Sequence, residues 1–449
     1  MNWRAALLDA VTVLAVAALL LWPAFYNGYA LLYPDSTLYV GLSFVPQEYP
    51  PRGLIYPLLM LPLHFGTTLW TVIAAQALLS AWVLRETIAV AAPRSRRLWL
   101  LGLGIVLAAL TSLPWTVDQI MQDFFAGLLA LAIALLTLFP ERLSVPRRFV
   151  LLLIVAVGVA AHSSHAPLAI ATLLVAAAIN AWARLTLRSL LTPAAAILAG
   201  IGLTIAVNLV VTGHAYYSKG GEQFVFGRLL NDGIIADYLE EVCPRADLKL
   251  CELKERLPYN HNDYLWGDDE AFLLLGGWDS SPELRFIIFD SIKRMPLRHI
   301  WAVIDDTFRQ LVQPRAGESL NRPSRGAASI IETAFPGDAV AFHRTVQQRD
   351  ALRGFLQPLN SFQVPVQLAA LALLPVLAFL LARRGERRLA GLCLLILAAL
   401  AINAFICGVF SGVSDRYQSR IAWLAVAAVV ALVAQQWHGG RLKTKSIAQ

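Results

Sequence analysis

Long apolar runs decide what this chain can fold into. Val13–Trp22 and Val150–Ala161 contain no charged residue, whereas a helix of a water-soluble protein keeps one polar face. A bilayer core about 30 Å thick requires roughly 20 apolar residues of helix. Ten segments approach that requirement, at about 6–26, 67–84, 98–114, 121–139, 149–163, 166–183, 190–211, 364–382, 389–409 and 418–435. Of the 449 residues, 57% are hydrophobic and 15% charged, against about half and a quarter in soluble globular domains. Runs of this length exclude an outer-membrane barrel, whose strands alternate. Four cysteines exclude a secreted disulfide scaffold. The chain is predicted to be an all-α, multi-pass membrane protein of about ten helices.

The first run exceeds the apolar core of a secretory signal, carries Asp9 and lacks a small-residue cleavage site, so it reads as a retained span. The fifth and sixth abut at His162–Pro167, where one of the two is a candidate for a broken or re-entrant helix. Basic residues in short loops set orientation. Arg4, the Arg94/Arg96/Arg97 turn, Arg142, Arg147, Arg148, Arg184, Arg188, Arg383, Arg384, Arg387, Arg388 and the tail cations Arg441, Lys443 and Lys445 all fall on one side of a ten-span chain. That side is expected to be cytoplasmic, with both termini inside a plasma (inner) membrane of bacterial type. A net charge of +7 is then a matter of topology and needs no nucleic-acid partner.

Three parts follow. Residues 1–212 form a membrane module of about seven spans with an outer loop at 27–66. Residues 213–363 form an extracytoplasmic cap, and 364–449 a second module of about three spans. The cap segment holds 17 Lys plus Arg against 21 Asp plus Glu, the balance of a translocated segment. Its periodicity predicts short amphipathic helices, among them 228–241, 282–294 and 297–312. Cys243 and Cys251 either pair as a disulfide in an oxidising compartment or remain free thiols; Cys393 and Cys407 read as packing residues. The run Asp268, Asp269 and Glu270 lacks calcium-loop spacing and reads as a solvated turn. No internal repeat or half-to-half symmetry of the transporter kind is found.

Ionisable groups near membrane level are the informative ones, since each is costly there without a partner or role. They gather toward the outer face: Asp35 in YPDSTLY, Arg52 in PPRGLIYP, Asp118 and Asp123 in WTVDQIMQDFF, His162 and His165 in AHSSHAP, and Asp415, Arg416, Tyr417 and Arg420 in SDRYQSRIAW. The membrane interior is almost free of charge, so any chemistry belongs at the outer water–lipid boundary. Each residue also has a plainer role. Asp35 can cap the helix beginning at Ser36, Arg52 can snorkel to headgroups, and Asp118 or Asp123 can be a helix N-terminal charge. The two histidines, three apart, lack a third metal ligand. Arg416 and Arg420, four apart, share a helix face and suit an anionic ligand. Phosphate-loop, HExxH, CxxC and G-x-S-x-G patterns are absent.

In order along the chain, YPDSTLYVGLSF, PPRGLIYPLLMLPLHFG with the following TTLWTVIAAQALLSAWVL, DQIMQDFFAGLLALAIALL and SDRYQSRIAWLA resemble the first outer loop, second span, fourth-span start and late-span start of the GT-C superfamily of polytopic glycosyltransferases. The likeness covers about the first 180 residues and the last 40. Two features differ: Asp35 is followed by Ser36 where many members carry two acidic residues, and HSSHAP stands where many have an Arg-Pro-Glu-like turn.

The resemblance implies a GT-C-like fold. It also implies an inverting transfer of sugar from a polyprenyl-phosphate donor to an extracytoplasmic lipid, glycan or protein acceptor. Such a displacement needs a carboxylate to take the acceptor's proton and cations to hold the phosphate. On that reading Asp35 is the base and Asp123 the second candidate. Arg52, Arg416, Arg420 and His165 are phosphate partners, and Asp118, His162, Asp415 and Tyr417 are further substrate-binding residues. No cofactor is firmly implied; a divalent metal stays open, though the ligand spacing does not support one. Two other readings are an outward-facing glycan polymerase or ligase, and a lipid or solute transporter.

Overall fold

The computed structural model describes residues 3–447 except Arg94, Tyr259, Asp268 and Asp269, with side chains described as far as Trp437. Arg94, the Asp268–Asp269 pair and the side chains of Arg441, Lys443 and Lys445 therefore lie outside the described residues. The fold is all-helical; among the described residues the sole β-type pairing is an isolated bridge between Leu31 and Gln119.

A helix occupies each of the ten apolar segments. Seven are long and apolar enough to cross a membrane: Trp3–Leu20, Trp70–Ala91, His165–Trp182, Leu187–Thr212, Leu352–Arg383, Arg387–Phe410 and Asp415–Trp437. The other three, Arg96–Leu110, Phe124–Leu138 and Val145–Ala161, have 15, 15 and 17 residues. At 1.5 Å per residue they reach about 22–26 Å, short of the roughly 30 Å of a bilayer core. The fifth and sixth segments are two helices separated by the His162–Ser164 turn.

The Phe124–Leu138 helix is the hub, with every residue buried. A Cβ at Gly127 would lie 2.5 Å from the Trp423 ring, so glycine there lets the final helix close onto the hub. At the opposite end of the bundle, Asp9 receives Arg97 Nε at 2.7 Å, Arg96 Nε at 3.0 Å and Arg85 Nη2 at 3.2 Å. Glu86 pairs with Arg85 and, at 3.5 Å, with Arg147. One buried carboxylate in the first helix thereby pins two neighbouring helices, and a second carboxylate brings in Val145–Ala161.

One helix runs through the boundary expected at 363/364: Leu352–Arg383 has 32 residues and is about 48 Å long, more than the depth of a bilayer core. Arg353, Gln357 and Asn360 give its first turns a polar character.

Between the two membrane modules lies a run of short helices with its own core, built on Phe226, Ile234, Tyr238, Leu239, Tyr264, Leu284 and Ile287. Cys243 and Cys251 are joined as a disulfide with their Cα atoms 5.6 Å apart. Arg228 Nε lies 2.8 Å from a carboxylate oxygen of both Asp232 and Asp306, tying helix Gly221–Asn231 to helix Pro296–Leu311. The buried Asp306 and the half-buried Asp232 share one guanidinium, and burial pushes the Asp232 carboxyl up to about 6, with Asp306 also raised.

A carboxyl that keeps its proton in the folded state above its unfolded pKa makes folding less favourable as pH rises between the two values. For Asp232 that window runs from its ordinary 3.8 to about 6. This pair should therefore weaken the segment as pH climbs from about 4 to about 6. Asp232→Asn should flatten that slope and raise the melting temperature at pH 7.5, read by thermal unfolding of the detergent-solubilised protein across pH.

A candidate lipid–phosphate site

Asp35 directly precedes the Ser36–Phe44 helix, yet its side chain makes no capping hydrogen bond. Its Oδ1 instead accepts from Arg52 Nη2 at 2.7 Å, and its Oδ2 lies 3.7 Å from Arg416 Nη1. The loop is held for this by buried amides. Gln347 donates to the Leu32 carbonyl at 2.6 Å and accepts from Leu32 N–H at 3.1 Å. Its own N–H donates to Asn27 Oδ1 at 2.8 Å.

Arg52 does not snorkel: it packs over the Trp266 ring at 4.7 Å. Burial opposes its charge, but Tyr39 and Asp35 hold its pKa above the ordinary value, so it remains a cation. Arg416 lies 4.4 Å from the Tyr33 ring and 4.9 Å from the Tyr417 ring, and its backbone N–H donates to Glu318 at 2.6 Å. Three buried donors, Arg52 Nε and Arg416 Nε and Nη1, have no hydrogen-bond partner.

Asp35, Arg52, Arg416 and Tyr417 line a cavity of about 960 Å³. Its lining includes the polar Asp35, Arg52, His162, Ser163, Ser164, Arg416 and Tyr417, with Lys219, Arg285 and Glu222, and the apolar Phe224, Ile288, Phe289, Ile292, Ile406 and Phe410. Cations converging beside an apolar trough suit a ligand with an anionic head and a hydrocarbon tail.

The remaining predicted residues separate into three places. Arg420 and Asp123 lie directly behind the cavity wall. Arg420 Nη1 is 3.0 Å from Asp123 Oδ1, and Nη2 donates to Asn403 Oδ1 at 2.9 Å, Ser164 Oγ at 3.1 Å and Cys407 Sγ at 3.1 Å. Asp123 and Arg420 are buried and neither lines the cavity. Asp123, like Asp35, begins a helix without capping it. Asp118 is elsewhere, buried and accepting from the Ala24 N–H at 2.7 Å, where it fixes the chain leaving the first helix. Asp415 faces a different cavity of about 750 Å³ with Arg315, Glu318 and Arg353.

The histidines also part. His162 lines the main cavity and bonds Ser164 Oγ through Nδ1 at 2.8 Å. His165 is buried, with Nδ1 on the Gly158 carbonyl at 2.7 Å. Among the described residues no group of three or more His, Cys, Asp or Glu is arranged to hold a metal. A buried pair, Ser43 and His64, joins at 3.0 Å. His64 Nδ1 accepts from Gly66 N–H, so Nε2 carries the proton and cannot activate the serine.

The sequence did not single out Lys219, Glu318 or Tyr33. Lys219, in YYSKGGEQ, was the readable one, a cation beside two glycines where a span gives way to the cap segment. Compared with known proteins, the chain matches no family model, no curated sequence and no solved structure.

Removing one member of a buried ion pair leaves the other charge stranded, typically at a cost of about 3–5 kcal/mol, whereas an apolar replacement of both is near neutral. Asp123→Leu and Arg420→Met should each lower the melting temperature sharply. The double variant should recover most of the loss, read by thermal unfolding in one detergent.

Proposed function

We propose that this chain is an integral membrane glycosyltransferase of GT-C type that moves a sugar from a polyprenyl-phosphate donor to an extracytoplasmic lipid, glycan or protein acceptor. The observation that carries the reading is the single cavity in which Asp35, Arg52 and Arg416 meet an apolar trough. The prenyl tail would lie along Ile288, Ile292 and Ile406, with the phosphate against the unpartnered Arg52 and Arg416 donors.

In the reaction, an acceptor hydroxyl oxygen attacks the anomeric carbon. The bond from that carbon to the phosphate oxygen breaks, and its electron pair leaves with the polyprenyl phosphate. Asp35 Oδ2 takes the acceptor's proton, because Oδ1 is occupied by Arg52. Arg416 and Arg52 stabilise the charge gathering on the leaving phosphate. Attack opposite the leaving group inverts the sugar. Arg420 and Asp123 act as supports, since Arg420 braces Ser164 and Cys407 in the cavity wall.

The same reading sets ten spans, both termini in the cytoplasm, and the catalytic end at the outer face of an inner membrane. Reporter fusions at Gly385 should then signal cytoplasm and those at Gly267 the exterior; a cytoplasmic signal at Gly267 would overturn the scheme.

Asp35→Asn keeps the size of the side chain and removes the proton acceptor. Transfer from a panel of radiolabelled polyprenyl-phosphate sugars should fall about 10²–10⁴-fold, with donor still bound. Arg416→Ala should instead weaken donor binding. Wild-type transfer by the Asn variant would remove Asp35 from the mechanism.

A further inference from the structure

Helix Pro296–Leu311 is built inside out. Its buried residues are His299, Asp306 and Gln310. Leu297, Ile300, Trp301, Ile304 and Phe308 are exposed, with Trp301 at 67% and Phe308 at 64%. The exposed positions recur at three- and four-residue steps, so they form one stripe along a single face. A helix bathed in water buries such a stripe. Turning it outward while polar groups face inward suits an apolar surrounding.

Two residues of the polar face hold neighbouring segments. Asp306 pairs with Arg228 at 2.8 Å. Gln310 donates to the Ser414 carbonyl at 2.8 Å and accepts from the Ser414 N–H at 2.9 Å. Asp306 also approaches Gly408 so closely that a Cβ there would sit 2.8 Å from its carbonyl oxygen. The helix thus packs against the outer part of Arg387–Phe410, a membrane-crossing candidate that itself exposes Phe405 and Phe410. On the preceding helix, Pro282–Arg294, Phe286, Phe289 and Ile292 are exposed as well. Phe289, Ile292 and Phe410 also line the main cavity.

We propose that the outward stripe of helix Pro296–Leu311 is solvated by bilayer lipid, and that the cavity opens sideways into that lipid between Phe289 and Ile292 on one lip and Phe410 on the other. The occupant of the stripe is the acyl region of the membrane. Two features favour it over a protein partner: the stripe adjoins the exposed Phe405 and Phe410 of a membrane-crossing candidate, and it is apolar throughout, with the exposed charges of the helix, Arg298, Asp305 and Arg309, confined to one flank. A ligand of the cavity then enters laterally, with its tail never crossing water. Gln310 also makes the lipid-facing helix a positioning element, since it holds Ser414, two residues before Arg416, through two hydrogen bonds. The proposal rests on the membrane architecture and stands apart from the proposed reaction.

The test uses the full chain in lipid nanodiscs, with single cysteines at Ile304, Phe308, Phe289 and, as a water-facing control on an exposed helix position, Glu240. The native cysteines are paired or buried, so the introduced thiol takes an environment-sensitive fluorophore. Lipids carrying a nitroxide on the acyl chain should quench labels at 304 and 308 at least threefold more than the label at 240, and aqueous iodide should show the reverse order. The label at 289 should also be quenched by the nitroxide lipid. Iodide quenching at 304 and 308 without lipid quenching would overturn the lipid-facing assignment. Protection from both quenchers would overturn it too, and would show a second copy covering the stripe. Lipid quenching at 304 and 308 but not at 289 would overturn the lateral opening. None of these readouts uses a sugar donor, so a failed transfer assay leaves them untouched.

Discussion

Arg420 sits 1% exposed in an apolar helix bundle, and its neighbourhood is arranged around the demand that it be matched. An unpaired guanidinium there would be prohibitive. Asp123 at the start of the hub helix, Asn403 and Cys407 of Arg387–Phe410, and Ser164 in the turn before His165 therefore all converge on it. Its carbonyl accepts from the Trp423 indole, and the same ring rests on Gly127 of the hub. One residue thus sets the depth at which four segments meet. One helical turn earlier on the same helix, Arg416 is placed in the cavity as a consequence.

That placement would be wasted if the irregular backbone at membrane level were loose. Non-helical chain at such depth must satisfy its N–H and C=O groups internally. Buried amides supply the bonds. Gln76 donates to the carbonyls of Val117 and Gln119 at 2.6 and 2.9 Å while its own oxygen accepts from Tyr56. Gln347 and Asn27 do the same for residues 27–32. With the backbone fixed in this way, Asp35 and Asp123 begin helices without spending their carboxylates as caps. Each is released to a guanidinium instead, one facing the cavity and the other sealed behind it.

Apolar run length located a helix at every one of the ten segments, because burying or solvating such runs in lipid leaves no competing arrangement. Polar helix ends were less readable. Leu352 to Gln363 has too little apolar density to be read as part of the following span, although the helix is continuous. The four-residue spacing of Arg416 and Arg420 indicated a shared face, but depth separates their roles, and depth is a tertiary property. Asp118 and Asp123 differ only in which neighbour reaches them: the Ala24 amide from a distant helix in one case and Arg420 in the other. Periodicity did find the helix near 297–312. It could not tell which face meets the protein, since an amphipathic pattern is the same whether water or lipid lies outside.

The cavity's charge balance follows from the same economy of pairing. Asp35 is the carboxylate beside Arg52 and Arg416, so two guanidiniums share one counter-charge. Glu318 takes the Arg416 backbone N–H and the Ser414 hydroxyl, and leaves the guanidinium to Asp35. The Tyr33 and Tyr417 rings lie against that guanidinium, with its central carbon 4.4 and 4.9 Å from their centroids. Such contacts stabilise the cation without using an N–H donor, and Nε and Nη1 have no hydrogen-bond partner. A guanidinium packs against aromatic rings and still offers a planar fork of donors, which an ammonium does not. The aromatic contacts therefore explain why arginine stands at 416: they carry its charge in a partly dry site while leaving its donors available to an anion.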